Sequence, residues 1–129
     1  MARNPMYGQN KSDEVSGSAY VTVGMSGMGS AGQRYCVCPI DGRVSAMYFM
    51  CTTGVTTAAS AITVKDGAGD TIGTGTIPVT SANGGVVVAT GMHTDADSDL
   101  SAGDVIEIEF DGSSGAGAGD MVVQFVQSF

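Results

Sequence analysis

The sequence predicts a single all-β domain, an antiparallel β-sandwich or jelly-roll-like fold of about eight strands preceded by a polar N-terminal arm. Three observations predict it. Gly accounts for 20 of the 129 residues, Thr, Ser and Val are frequent, and Leu occurs once, at Leu100; helical domains lean on Leu, Glu, Lys and Arg, whereas β-branched residues fit a pleated surface. Apolar residues alternate at period two in several segments, and no long stretch carries them at three-and-four spacing. Gly, Asp and Asn clusters recur at intervals of roughly ten residues, the rhythm of short strands and turns. One chain of this length can bury roughly two-thirds of its unfolded surface, enough for one core without staples.

Residues 1–14 read as the arm: polar, with Pro5, and without either period. Arg3, Tyr7 and Lys11 are anchors by which such an arm could order on a neighbouring subunit. The domain, 15–129, opens on a half-buried strand with Val15, Gly17, Ala19, Val21 and Val23 on one face and Ser16, Ser18, Tyr20 and Thr22 on the other. A Gly-rich connection, 24–32, leads to a strand over 33–40. Asp41-Gly42 then marks a two-residue hairpin into a strand over 44–51. That strand is apolar on both faces, which places it centrally or half-buries it in an interface.

Residues 52–60 read as a bulge or one helical turn. Strands over 61–65 and 71–79 flank the turn Asp66-Gly-Ala-Gly-Asp70, and a further strand covers 86–91. The acidic loop 93–104 precedes a strand over 105–110 that turns Ile106, Ile108 and Phe110 inward and Glu107 and Glu109 to water. Residues 111–119 read as a flexible loop, and 120–129 as the closing strand.

The net charge of −8 is unevenly spread: residues 51–129 hold Lys65 against ten carboxylates, while four of the five basic groups lie in 1–50. Such a surface repels phosphate backbones and anionic bilayers, so neither nucleic acid nor membrane is an expected partner. The longest apolar run, 46–51, is far too short to span a bilayer. Residues 1–10 are polar with no apolar h-region behind them, and three cysteines make no disulfide framework, so synthesis in a reducing cytoplasm is expected.

No catalytic or cofactor site is expected. Cys36, Cys38, Cys51 and His93 could supply four zinc ligands, but Cys-x-Cys departs from the usual paired-ligand gap, and small buried thiols are the simpler reading. Asp95, Asp97 and Asp99 open like a calcium loop, yet Leu100 and Ile106 stand where an EF-hand needs Gly and Glu; only a looser surface site remains. His93 has no nucleophile pattern near it, and 115–119 lacks the helix a phosphate cradle requires. Without Trp, and with four Tyr, a sugar-stacking platform is less expected. Met25 and Met28, in the Gly-rich connection, fit an adaptable interface if exposed, and Arg34 joins them as a contact candidate.

The unit Ile62-Thr-Val-Lys-Asp-Gly-Ala-Gly-Asp70-Thr-Ile-Gly, with Leu100-Ser-Ala-Gly-Asp104-Val-Ile-Glu-Ile and the closing strand 119–126, resembles the small β-sandwich decoration or cement proteins of tailed bacteriophage capsids. The likeness covers about residues 60–127 and is one of strand rhythm and composition. It implies a structural virion protein on the capsid exterior that bridges major capsid protein subunits, as a homo-oligomer, with a trimer favoured, and it implies no catalytic residues. The alternative is a tail, fibre or other β-sandwich glycan-binding module.

Overall fold

The computed structural model describes residues 17–90, 92 and 99–127; the arm, the first two residues of the expected opening strand and residues 93–98, the first half of the acidic loop, lie outside these. None of the described residues is helical. Nine strands are formed among them: β1 Ser18–Met25, β2 Gly32–Val37, β3 Gly42–Thr56, β4 Ser60–Lys65, β5 Thr71–Ile77, β6 Gly85–Val87, β7 Ala89–Thr90, β8 Val105–Phe110 and β9 Ala116–Gln127. They pair antiparallel into a four-stranded sheet, β1-β9-β3-β6, and a five-stranded sheet, β2-β8-β4-β5-β7. The fold is the expected β-sandwich. Its strand count differs from eight because one expected strand, 86–91, is two short pieces: Val88 crosses between the sheets, its N–H donating to the Met47 carbonyl.

Period-two alternation builds the core. From the four-stranded sheet, Val23, Met25, Met47, Phe49, Met121, Val123 and Phe125 point inward; Ile62, Val64, Ile72, Ile106, Ile108 and Phe110 face them from the other sheet. Each such side chain, fully removed from water, contributes about 1.5–3 kcal/mol of transfer free energy. The inward set of β8 is the one its sequence announces, with Ile106 and Ile108 inaccessible. The 61–65/71–77 hairpin also forms as expected, closed by Asp66, whose Oδ1 accepts from the Ala68 and Asp70 amides at 3.0 and 2.9 Å.

Two local expectations are corrected. Asp41-Gly42 is not a hairpin: β2 pairs with β8 and β3 with β9, so the dipeptide carries the chain from one sheet to the other. Gly42 is there for close approach, since it pairs with Gln127, bridges to Leu100, and a Cβ on it would run into the Val126 carbonyl. Residues 116–119 are not loop but the start of β9. Gly117 and Gly119 occupy core-facing positions where Met28, Val55 and Phe49 have already filled the space. A Gly-Ala alternation reads as flexible, yet here it is a strand whose inner side chains are supplied by its neighbours. The bulge expected after residue 51 is present, as register shifts between Cys51, Thr53 and Thr56.

Candidate functional site

The outer face of the four-stranded sheet is built by the alternate residues of strands whose other residues make the core. β1 contributes Ser18, Tyr20 and Thr22, β9 contributes Asp120, Val122, Gln124 and Val126, and β3 contributes Arg43, Ala46, Tyr48 and Met50. Cross-strand register aligns them in rows: Tyr20–Gln124–Ala46, Thr22–Val122–Tyr48 and Gly24–Asp120–Met50. Tyr20 is 60% exposed, Met50 54% and Tyr48 39%, an unusual cost for three large side chains on one sheet face. The Gln124 amide links the tyrosines, donating from Nε2 to Tyr20 Oη at 3.2 Å and accepting from Tyr48 Oη at 3.4 Å. These bonds draw the rings along the face and hold them as one patch. The charged side chains in this set are Arg43 at one end, ion-paired with Asp99, and Asp120 at the other.

The outer face of the five-stranded sheet is different. Glu107 and Glu109 stand on its second strand, Lys65 reaches Glu109 at 3.0 Å, and Thr63, Thr74 and Thr76 fill the rest. Tyr35, Val37 and Val105 are exposed at its β2 edge, interleaved with those carboxylates. The sandwich therefore carries one outer face whose middle is aromatic and uncharged, with Arg43 and Asp120 at its ends, and an opposite outer face with Glu107, Glu109, Lys65 and threonines, apolar at its β2 edge.

The other sequence candidates are distributed as follows. Cys36, Cys38 and Cys51 are free and buried, in β2, in the loop after it and in β3 of the other sheet. Burial, with Cys38 nearby, pushes the Cys36 thiol up to about 11. Burial also raises Cys38, and the Asp104 and Asp41 carboxylates add to it. Since the thiolate is the reactive form, a disulfide-exchange reagent at pH 8 should find essentially no thiol in the native protein and all three after denaturation. One thiol titrating within seconds under native conditions would contradict this burial.

Asp95, Asp97 and His93 lie outside the described residues. Asp99 is paired with Arg43. A shallow cleft of about 330 Å³ runs between Asp66, Asp99, Leu100, Asp104 and Val105, but Asp66 is engaged in its own turn and Asp104 Oδ2 accepts from the Ser101 amide at 2.9 Å. No group of three or more His, Cys, Asp or Glu among the described residues could hold a metal ion. No helix of the described residues is long and apolar enough to cross a membrane.

The interface expectation for Met25 and Met28 is corrected, because both are core residues, 1% and 0% exposed. β1 runs two residues further than its sequence pattern indicates, which keeps Met25 on the inward register. Gly27 then turns the chain at φ +67°, and Met28 folds over the end of the core with its N–H on the Gly117 carbonyl. Arg34 is used locally: its guanidinium donates to the Ser26 and Gln33 carbonyls and lies 5.1 Å from the Phe110 ring centroid, a cation–π arrangement that pins the Gly-rich connection. Arg3, Tyr7 and Lys11 lie outside the described residues. The patch that the structure does present, Tyr20, Tyr48, Met50 and Gln124, has one sequence signal, the two-faced apolar pattern of β3.

No protein-family model matches the chain, and no curated protein matches it.

Proposed function

We propose that the protein is a structural virion component that decorates the outer surface of a phage capsid and stabilises it by bridging neighbouring major capsid protein subunits. The observation that carries this reading is the opposition of the two sheet faces. A module whose adhesive face meets protein neighbours and whose acidic face meets the medium has the polarity a coat layer requires, and its rigid core keeps the two apart. The sequence resemblance points the same way. Arg3, Tyr7 and Lys11 of the arm add contacts to a neighbouring subunit, and many weak contacts on a lattice combine through effective concentration rather than through one strong site. In this role the chain is not an enzyme, needs no cofactor, and self-associates; the three-fold implied by the resemblance is one closed arrangement for it.

The deciding experiment is copy number in purified particles, by quantitative mass spectrometry against the most abundant shell protein. A ratio near one to one is expected, and absence from the particle overturns the reading. A handful of copies moves it to a tail or fibre. That second reading, a glycan-binding module, draws on the hydrogen-bonded group Tyr20, Gln124 and Tyr48, since two exposed rings joined by an amide can also support a saccharide; it requires a saccharide-dependent thermal shift.

A further inference from the structure

We infer that the groove at the β2 edge of the five-stranded sheet is the docking site for this chain's own N-terminal segment, residues 1–11. The inference concerns the free protein. The coat reading gives the arm to a neighbour on the particle, so the two can fail separately.

The groove is built by register. On the outer face of the sheet, Val37 of β2 stands opposite Val105 of β8, and Tyr35 stands opposite Glu107. The Asp66–Asp70 turn forms the other wall, bounding a cleft of about 300 Å³ over Tyr35, Val105 and Glu107. Tyr35 is 61% exposed, Val37 54% and Val105 46%, an apolar cluster on an edge strand, where a sheet is least protected. Lys65 is the register partner of Glu107, yet its Nζ lies 3.0 Å from Glu109. Among the described residues no cation is therefore ion-paired with Glu107. A carboxylate opposite an aromatic ring attracts a cation by charge and by the ring quadrupole together. The groove thus fits a segment that carries both apolar and cationic side chains.

Residues 1–11 are such a segment. They hold Arg3 and Lys11, Met6 and Tyr7, and no carboxylate, whereas residues 12–129 hold three basic groups against thirteen carboxylates. Those three are engaged within the domain: Arg34 on the Ser26 and Gln33 carbonyls, Arg43 on Asp99 and Lys65 on Glu109.

The point where the arm leaves the domain puts the groove within reach. The Gly17 carbonyl accepts from the Gln127 amide at 2.9 Å, Gln127 is the register partner of Gly42, and the chain from Gly42 back to Val37 crosses between the sheets. Two strand spacings of about 4.8 Å and a sheet separation of about 10 Å place Val37 roughly 20 Å from Gly17. The six steps from Gly17 to Lys11 span about 20 Å when extended, so Lys11 reaches the mouth of the groove and residues 1–10 can lie along it. A tether this short holds the segment at about millimolar effective concentration, which any external partner for the groove must overcome.

The test is hydroxyl-radical footprinting of the full-length chain across concentration, without capsids present. Tyr20 and Tyr35 are equally exposed on the folded domain, 60% and 61%, so an empty groove gives them equal labelling rates. With the segment docked, Tyr35 should label at least about threefold more slowly than Tyr20, since a millimolar tether keeps the groove mostly filled, and its rate should not change with concentration. Equal rates overturn the inference. So does protection of Tyr35 that appears only as concentration rises, which gives the groove to a second copy. Arg3→Glu with Lys11→Glu should return Tyr35 to the Tyr20 rate, and protection that survives the change overturns the charge-guided docking. Carbodiimide coupling of the wild-type chain is the independent readout: Lys11 should link to Glu107 or Asp66 within one chain, and links to this groove only between chains, or none, overturn the inference. Copy number in the particle reads the coat proposal alone.

Discussion

Gly119→Ala is expected to destabilise the protein by about 3 kcal/mol, lowering the melting temperature by about 10 °C, although it adds one methyl group to a core. Gly119 lies on β9, the strand hydrogen-bonded on both sides, to Met25 of β1 and to Cys51 of β3. A Cβ there would run into the Met50 carbonyl oxygen and lie 2.9 Å from Phe49 Cζ. The ring could swing away, but the carbonyl belongs to the backbone of a paired strand and cannot move without breaking the β3–β9 ladder. Gly24, one strand away in the same sheet, is the control. Nothing lies within 4 Å of a Cβ built on it, so Gly24→Ala should leave the melting temperature unchanged or raise it slightly. Thermal unfolding of the two variants checks the pair; equal effects would mean that β9 is not clamped between its neighbours.

The same position explains where the sequence was legible and where it was not. Strands with strict alternation, such as Val105–Phe110, were readable because burial of one face and register are the same fact at period two. The hairpin around Asp66 was readable because its turn is local chemistry. Asp41-Gly42 and the Gly-Ala run at 116–119 misled for a common reason. Glycine signals either a turn or a close approach, and only the long-range pairing of β9 with β3 decides which. Met25 and Met28 read as loop because of the adjacent glycines, while the contacts that decide, Met25 with Gly119 and Met28 with Gly117 and Ser114, come from nearly the other end of the chain. The face chemistry was half legible. The two-faced apolar pattern of β3 pointed to a central strand or an interface, and β3 is an interior strand of its sheet; grouping Tyr48 and Met50 with Tyr20 and Gln124 required knowing that β9 lies between β1 and β3.

Phe49→Ala should cost about 3–5 kcal/mol, a large part of the 5–15 kcal/mol by which a domain of this kind is stable. Phe49 is 1% exposed, pairs with Met121 across β3–β9, and its ring occupies the space that a side chain at Gly119 would otherwise fill. Removing it leaves a cavity beside Gly119, which has no side chain of its own to fill it. Urea unfolding should show a lower midpoint at unchanged slope, the sign of lost stability without a change in the surface exposed. Its flanking residues make the opposite prediction. Tyr48 and Met50 alternate with it on the same strand and face outward, so charging them should hardly alter the midpoint. The residues that hold the core and those that form the outer surface thus alternate along a single strand. If Met50→Glu unfolded the protein as Phe49→Ala should, that division would be wrong, and the outer face would be part of the core rather than a surface kept for a partner. Combining Phe49→Ala with Gly119→Ala sharpens the point: the ring contact is relieved but the Met50 carbonyl is not, so the double variant should be less stable than Phe49→Ala alone, by less than Gly119→Ala costs in the wild-type chain.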